Sequence, residues 1–250
     1  MSYEKSAHLY DLFDQKDNIE LFYYYASRAE RTLDVGAGTG RIAIPLVERG
    51  LEIYCVEPSP AMRAELERKL TACPDLLDKI QIIPGDAASF EVDILFPVAF
   101  LSGCFDHFVN QKQRITSLEN VHRHLILGGV LVFDVFLGLM KDELLSPAGE
   151  VKVGSKVIRR SAAGQVLSPD RQRVDLIYEI YESGEILERI KECGQVGITD
   201  RQSVHPVLHA TGFEIRREWG GYDFKAYREA EPLLIVEAVK RRRNDLCRIS

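Results

Sequence analysis

The sequence contains 250 residues, of which 46% are hydrophobic and 28% are charged, and its formal net charge is −6. These fractions are typical of a globular protein with a full apolar core, whereas the negative charge argues against a protein that coats nucleic acid, which needs a basic face. The five cysteines are scattered without C-x-x-C spacing, so neither a metal site nor a disulfide framework is predicted. Residues 1–20 lack the apolar segment of a signal peptide and no apolar run has the length of a membrane span, so we expect a cytoplasmic protein without a membrane partner.

Two stretches before the first strand carry aromatic and leucine residues at helical spacing, which predicts amphipathic helices over 3–12 and 18–29. After them, short apolar runs alternate with helical patterns, an order typical of a parallel sheet covered by helices on both faces. The predicted strands are 31–35, 51–56, 80–83, 94–101 and 130–136, and the predicted helices are 39–49, 60–70 and 111–126. Pro45 is expected to bend the helix over 39–49.

The hydrophobic period changes in the second half of the chain. Between Val151 and Val196 apolar residues alternate at every second position, which predicts three inserted antiparallel strands with a hairpin turn at Ser183-Gly184. Asp200 is placed to cap a further helix that ends near residue 210. The last two predicted strands, 213–219 and 233–239, pair antiparallel at the edge of the sheet.

A glycine-rich turn between the first strand and the next helix is the most informative stretch of the sequence. Gly36, Gly38 and Gly40 alternate shortly after Asp34. Glycine permits positive φ and lets a ligand approach bare backbone, and the N–H groups at the start of a helix attract anions such as a pyrophosphate. Asp34 changes that expectation, because its carboxylate repels a pyrophosphate but suits a ligand that carries an ammonium group.

Two classes of cofactor fit this turn. Residues 33–40 resemble the first motif of class I S-adenosylmethionine-dependent methyltransferases. Residues 38–43 also satisfy the G-x-G-x-x-G/A fingerprint of dinucleotide-binding domains, with Glu57 at about the required distance. The sequence over 85–87 resembles the adenine-binding motif of the methyltransferases, and the final antiparallel pair of strands resembles their sheet, so this family is favoured. An NAD(P)-dependent oxidoreductase and a non-catalytic cofactor-binding protein are the alternatives.

The resemblance implies a fold and a domain organisation. We expect an α/β protein with a doubly wound, mostly parallel sheet of seven strands, formed by residues 1–139 and 197–240. Residues 1–29 would cover the cofactor as a helical lid, and the antiparallel insertion over 140–196 resembles the cap of small-molecule N-methyltransferases. Residues 241–250 are expected to form a basic tail, and the strand edges of the insertion predict pairing of two copies as a homodimer.

The resemblance also implies which residues bind S-adenosylmethionine. Asp34 and the glycine turn would hold the methionine end, and Glu57 would accept both ribose hydroxyls. Asp86 and the N–H of Ala87 would bind the adenine, with Met62 against its face. The expected cofactor contacts are Tyr10, Asp34, Gly36, Ala37, Gly38, Gly40, Glu57, Pro58, Met62, Asp86, Ala87, Ser102 and Phe105.

The methyl acceptor is expected at the carboxyl edge of the sheet, where open α/β folds bind ligands. His107 follows the fourth strand and is the candidate catalytic proton acceptor, since a neutral imidazole is available near pH 7; a structural histidine that shapes the pocket is the alternative. Tyr3, Tyr222 and Phe224 are the other expected acceptor contacts. The predicted function is in-line methyl transfer to a small molecule, and an amine is favoured because the insertion resembles that of N-methyltransferases.

Overall fold

The computed structural model describes residues 3–13, 17–137 and 141–242. Its helices are α1 (Ala7–Tyr10), α2 (Ile19–Ala26), α3 (Ala43–Glu48), α4 (Pro60–Thr71), α5 (Gln111–His124) and α6 (Arg201–Ala210), with short 3-10 turns at Asp11–Phe13, Pro74–Lys79 and Phe105–His107. Its strands are β1 (Thr32–Val35), β2 (Ile53–Glu57), β3 (Ile80–Pro84), β4 (Phe96–Leu101), β5 (Leu125–Phe136), β6 (Glu143–Val153), β7 (Lys156–Ser168), β8 (Arg171–Glu182), β9 (Glu185–Gly197), β10 (Phe213–Trp219) and β11 (Leu233–Lys240). None of the helices in these ranges is long and apolar enough to cross a membrane.

Seven strands form one sheet in the order β10-β11-β5-β4-β1-β2-β3. The five strands from β5 to β3 pair parallel, whereas β11 is antiparallel to both of its neighbours. The predicted mostly parallel sheet with an antiparallel pair at one edge is therefore confirmed. Because parallel strands end on the same side, the loops that follow β1, β2, β3 and β4 meet at one edge, where ligand sites form in such sheets.

Local sequence signals explain where two of the helices begin. The hydroxyl of Ser59 accepts the N–H of Met62, and Pro60 takes the first helical position of α4, where a proline is already set for the helix. Asp200 caps α6 by accepting the N–H of Ser203. Both helices therefore begin at the predicted cap.

Four helices are shorter than predicted, among them α2, which spans Ile19–Ala26 where the sequence predicts 18–29. The first N-terminal helix contains only four residues before it tightens into the 3-10 turn. The helix after the glycine turn begins at residue 43 because residues 38–42 still form turns, so Pro45 lies in its first helical turn, where proline is tolerated. α5 ends at His124, and the following glycine pair at 128–129 lies inside β5.

The insertion forms a separate antiparallel sheet in the order β6-β7-β8-β9. This sheet has four strands where the sequence predicts three. The additional strand, β6, exposes nearly all of its side chains, and its pairing with β7 shifts between Pro147 and Gly149. A strand without an apolar face has no two-residue period, so its sequence gives no strand signal. β6 and β9 are the edges of this sheet, where pairing of a second copy stays a prediction.

The N-terminal segment packs on the inserted sheet as well as on the large one. Leu9 of α1 contacts an apolar cluster that consists of Ile158, Tyr178, Ile180 and Ile190. The two larger apolar clusters cover the two faces of the seven-stranded sheet. The predicted basic tail lies outside the described residues from residue 243 onward.

Candidate functional site

The glycine turn after β1 is fixed to the neighbouring strand. The N–H groups of Gly36 and Ala37 both donate to the carbonyl oxygen of Val56, at 2.8 and 3.1 Å. Gly36, Gly38 and Gly40 all have positive φ, at 80°, 59° and 81°. Only glycine adopts such angles without strain, so the alternating glycines are a requirement of this backbone.

The three glycines differ in what a side chain would meet. A Cβ at Gly36 would lie 2.8 Å from the Cβ of Cys104, and one at Gly40 would lie 2.4 Å from a methyl of Leu66. Both positions are therefore closed by packing. A Cβ at Gly38 would have no neighbour within 4 Å, because this residue faces a cavity.

That cavity has a volume of about 480 Å³ and lies at the carboxyl edge of the sheet. Most of the residues predicted to bind the cofactor or the acceptor line it. The lining includes Tyr3, Tyr10, Asp34, Gly36, Ala37, Gly38, Glu57, Pro58, Met62, Asp86, Ala87, Ser102 and His107. Residues from five separate segments of the chain therefore converge on one space, although their roles toward a ligand stay predictions.

Four predicted site residues lie elsewhere. Gly40 does not line the cavity, and its N–H donates to the carbonyl oxygen of Ala37 within the turn. Phe105 is 1% exposed and packs on Phe133, with ring centroids 4.8 Å apart, so it belongs to the core and not to the lining. Phe224 contacts the rings of Tyr24 and Trp219 and does not line the cavity. Tyr222 borders a neighbouring cavity.

Asp34 has the most unusual environment in the cavity. Its side chain is 2% exposed, and its Oδ2 atom has no hydrogen-bond partner within the described residues. Burial raises the pKa of Asp34 to about 7; Arg41 opposes this rise, and Glu57 and Asp134 add to it. A buried carboxylate oxygen without a donor is costly, so the cavity fits a ligand that brings an N–H donor or a positive charge to this atom.

Glu57 is held in place by backbone donors. One of its carboxylate oxygens accepts the N–H of Gly38 and the other accepts the N–H of Ser59, both at 2.8 Å. Each oxygen retains a further lone pair, so the fixed carboxylate can accept two ligand hydroxyls. Burial raises the pKa of Glu57, and the two backbone hydrogen bonds oppose this rise.

Asp86 lies at the other end of the cavity and is exposed. Its Oδ1 atom accepts the N–H of Ala88 at 2.8 Å, which orients the carboxyl group at the end of β3. The buried Asn120 donates to the carbonyl oxygens of Ala87 and Phe90, at 3.1 and 3.0 Å, and so fixes the same loop from behind. The loop therefore presents a carboxylate with a defined direction.

A buried polar network on the acceptor side was not predicted from the sequence. Arg41 donates to the side-chain oxygen of Asn18 at 2.7 Å and to the hydroxyl of Ser102 at 3.2 Å. Asp134 of β5 accepts the N–H of Gly103 and the hydroxyl of Tyr222, the latter at 2.9 Å. The sequence signal that could have indicated Asp134 is its position as an acid near the end of an otherwise apolar strand.

A second cavity of about 650 Å³ borders this network. Tyr10, Arg41 and Gly103 line both cavities, so the two spaces adjoin. Asp134 and Tyr222 line only the second cavity. Within the described residues, no group of three His, Cys, Asp or Glu side chains could hold a metal ion.

His107 lines the first cavity beside the aromatic rings of the N-terminal segment. Its ring meets that of Tyr3 edge to face, with centroids 6.2 Å apart, and Tyr3 meets Tyr10 at 5.1 Å. Burial lowers the pKa of His107 from 6.5 to about 4. The imidazole is therefore neutral at pH 7, and it neither repels a cationic ligand nor acts as a strong base.

Comparison with known proteins finds a resemblance over part of the chain. Residues 33–131 match the family model of the methyltransferase domain. The matched stretch is less than half of the chain, and it begins in β1 and includes the glycine turn described above. The predicted resemblance to the class I methyltransferases is thus confirmed.

One curated relative and two solved structures show what the chain is similar to. An uncharacterized methyltransferase of Bacillus cereus (strain ZK / E33L) is 28% identical over 142 residues, and the match covers 52% of this chain and 64% of the length of that relative. An S-adenosylmethionine-dependent methyltransferase from Clostridium acetobutylicum ATCC 824 has the same fold at a TM-score of 0.78 and 17% identity, covering 96% of this chain and 99% of the other. A sugar N-methyltransferase from Streptoalloteichus sp. ATCC 53650 has a TM-score of 0.73 at 24% identity, with 93% of each chain covered.

The environment of Asp34 predicts how the stability of the protein depends on pH. The native state keeps a proton up to about pH 7 that the unfolded chain releases near its ordinary pKa of 3.8, so the free energy of unfolding falls as pH rises through this range. Asp34→Asn removes this titration. We expect the variant to exceed the native chain in unfolding free energy at pH 8, with the difference vanishing near pH 4, as measured by denaturant titration. Asp93→Asn at an exposed position is the control, and an equal difference at both pH values would contradict the assignment.

The open space beside Gly38 predicts that a substitution there weakens ligand binding in addition to lowering stability. Gly38→Ala places a methyl group in the cavity at a residue of positive φ, and Gly154→Ala does so at a hairpin residue with similar φ and equally open surroundings. Both variants should lose about 1–2 kcal/mol of unfolding free energy from backbone strain. Only Gly38→Ala should also weaken binding of S-adenosylhomocysteine in calorimetry. Unaltered affinity in that variant would show that the ligand does not approach this backbone.

Proposed function

We propose that the chain transfers a methyl group from S-adenosylmethionine to an amine of a small molecule. The observation that carries this proposal is the buried carboxylate of Asp34, which lines the cavity beside the glycine turn and has one oxygen without a partner within the described residues. A ligand with an ammonium group next to a positively charged sulfur suits that atom. The match of residues 33–131 to the methyltransferase domain model supports the same cofactor.

The cavity offers a separate group for each part of this cofactor. Asp34 and the N–H groups of the turn hold the methionine end. Glu57, already fixed by two backbone donors, accepts the ribose hydroxyls. Asp86 accepts the exocyclic amine of adenine, and Met62, which is buried and lines the same end, packs on the ring. The spacing of three acids along one cavity therefore matches a ligand with a cation, a sugar and a base.

The acceptor enters through the second cavity. This cavity adjoins the first at Tyr10, Arg41 and Gly103, so a group that enters from it reaches the methionine end of the cofactor. Asp17, Asp134 and Asp223 line it, and Arg41 is the cationic side chain among the residues that line it. A basic amine is attracted to this excess of carboxylates more than an acidic acceptor is. This charge distribution supports nitrogen as the methylated atom.

The chain contributes orientation of the reacting groups and exclusion of water more than covalent chemistry. When bound, the cofactor supplies a methyl group on a cationic sulfur, which the nitrogen lone pair takes while the sulfur keeps the electrons of the broken bond. His107 accepts an N–H of the amine and so aims the lone pair at the methyl carbon. Its pKa of about 4 makes His107 a weak base, so a cationic amine loses its proton to water and reacts in the neutral form. Methylation then gives an ammonium product, which keeps its N–H protons until it is released. Correct orientation alone lowers a barrier by roughly 7–11 kcal/mol.

An NAD(P)-dependent oxidoreductase fits this cavity less well. A pyrophosphate at the glycine turn would meet Asp34 and Glu57, and neither carboxylate has a lysine or arginine hydrogen-bonded to it within the described residues. Two like charges in a buried site repel strongly. A cofactor-binding protein without catalysis has no specific observation in its favour.

Calorimetry with three ligands tests the proposed cofactor. We expect S-adenosylmethionine and S-adenosylhomocysteine to bind the purified protein and NADH not to bind. Below pH 7 binding should release protons, since a cation near Asp34 favours its ionised form; heats measured in buffers of different ionisation enthalpy report this. Asp34→Asn is the matched control and should lose the proton release. Binding of NADH in place of the sulfur ligands would reject the proposal.

Substitution of His107 tests the acceptor side. His107→Leu should lower kcat/KM for an amine acceptor roughly 10–100-fold, since a hydrogen bond that orients the nucleophile is lost. His107→Gln keeps an acceptor atom and should recover part of the activity. Neither change should alter the affinity for S-adenosylhomocysteine by more than about two-fold. The native rate should show no inflection near pH 6.5, and such an inflection would contradict the low pKa of this residue.

A further inference from the structure

One buried carboxylate of the inserted sheet contacts the N-terminal segment. Glu192 of β9 is 6% exposed, and its Oε1 atom accepts the backbone N–H of Lys5 at 2.7 Å and that of Ser6 at 3.0 Å. These partners are 187 and 186 residues away along the chain. Nothing in the cofactor or acceptor contacts described above uses this acid.

The N-terminal segment needs such a partner. α1 contains four residues, and Ser6, the residue before it, provides no side-chain cap. A helix of this length is not stable alone. Glu192 accepts the N–H groups of Lys5 and Ser6, the two residues directly before α1, and its carboxylate makes the stronger, charge-assisted kind of hydrogen bond.

The same segment is packed against the inserted sheet by its apolar side chains. Leu9 contacts the cluster around Tyr178. The ring of Phe13 lies 5.8 Å from that of Tyr178, and the guanidinium of Arg160 lies 4.6 Å from the Phe13 centroid. One side of residues 3–13 is therefore fixed by the insertion.

The other side of the segment reaches the cofactor cavity. Tyr3 and Tyr10 line that cavity. The carboxylate of Asp11 accepts the hydroxyl of Thr39 in the glycine turn at 2.6 Å and pairs with Lys69 of α4. Residues 3–13 thus lie between the inserted sheet and the turn that is proposed to hold the methionine end.

We propose that Glu192 is a positioning residue that holds the N-terminal segment over the cofactor cavity and thereby sets the affinity for S-adenosylmethionine. This inference rests on the proposed function. The cavity is complete only when Tyr3 and Tyr10 occupy their places. If the segment leaves the cavity for part of the time, the apparent dissociation constant rises in inverse proportion to the fraction in place.

Two substitutions at one position test the inference. Glu192→Ala removes the acceptor, and we expect the dissociation constant of S-adenosylhomocysteine to rise about ten-fold or more. Glu192→Gln keeps an oxygen where both N–H groups donate, so the constant should stay within about three-fold of the native value. Glu188→Gln, exposed on the same strand, is the matched control and should change nothing.

Two further measurements separate positioning from general stability. Hydrogen exchange at the amides of Lys5 and Ser6 should slow when S-adenosylhomocysteine binds the native chain and should not slow in Glu192→Ala. In a Tyr10→Ala background, Glu192→Ala should weaken binding far less than in the native chain, because the aromatic contact that it positions is already absent. A lower melting temperature with native affinity and native exchange protection would overturn the inference. Failure of the native chain to bind the ligand would instead reject the proposed function.

Discussion

The candidate site is organised around a carboxylate that the protein buries without fully satisfying its hydrogen-bonding capacity. Asp34 lies near the end of a fully buried strand, and no side chain within the described residues donates to its Oδ2 atom. Arg41 is close enough to oppose the rise in pKa, but its guanidinium donates to Asn18 and Ser102. Under the proposed function, the cation of the cofactor recovers the free energy that this arrangement costs, and we expect the site to be organised before the ligand binds.

Burial also perturbs other acids at the same edge of the sheet. It raises the pKa values of Glu57 and Asp134, and it raises that of Asp106 to about 7. The surrounding strands are apolar on both faces and supply the stability that offsets these groups. Several acids at one edge disfavour an anionic ligand such as a pyrophosphate there.

The parts of the site that are determined by local sequence patterns were predictable. The turn, Asp34, Glu57 and the cap of α4 follow from glycine spacing, strand ends and a Ser-Pro pair, and each depends only on its neighbours in the chain. Contacts between distant segments were not predictable. The bond from Arg41 to Asn18 and the burial of Phe105 against Phe133 depend on how loops fold over the sheet, and β6 has no apolar face to reveal it.

The insertion and the N-terminal segment are best understood as one structural unit. The inner face of the inserted sheet is apolar where Leu9 and Phe13 pack on Tyr178. The row of residues that contains Glu150, Arg159, Glu179 and Arg189 carries one ion pair between β6 and β7 and one between β8 and β9. A four-residue helix cannot hold its own position. Its order therefore depends on a sheet that begins more than 130 residues later in the chain, and we expect variation in the insertion to act on the cofactor cavity through the segment between them.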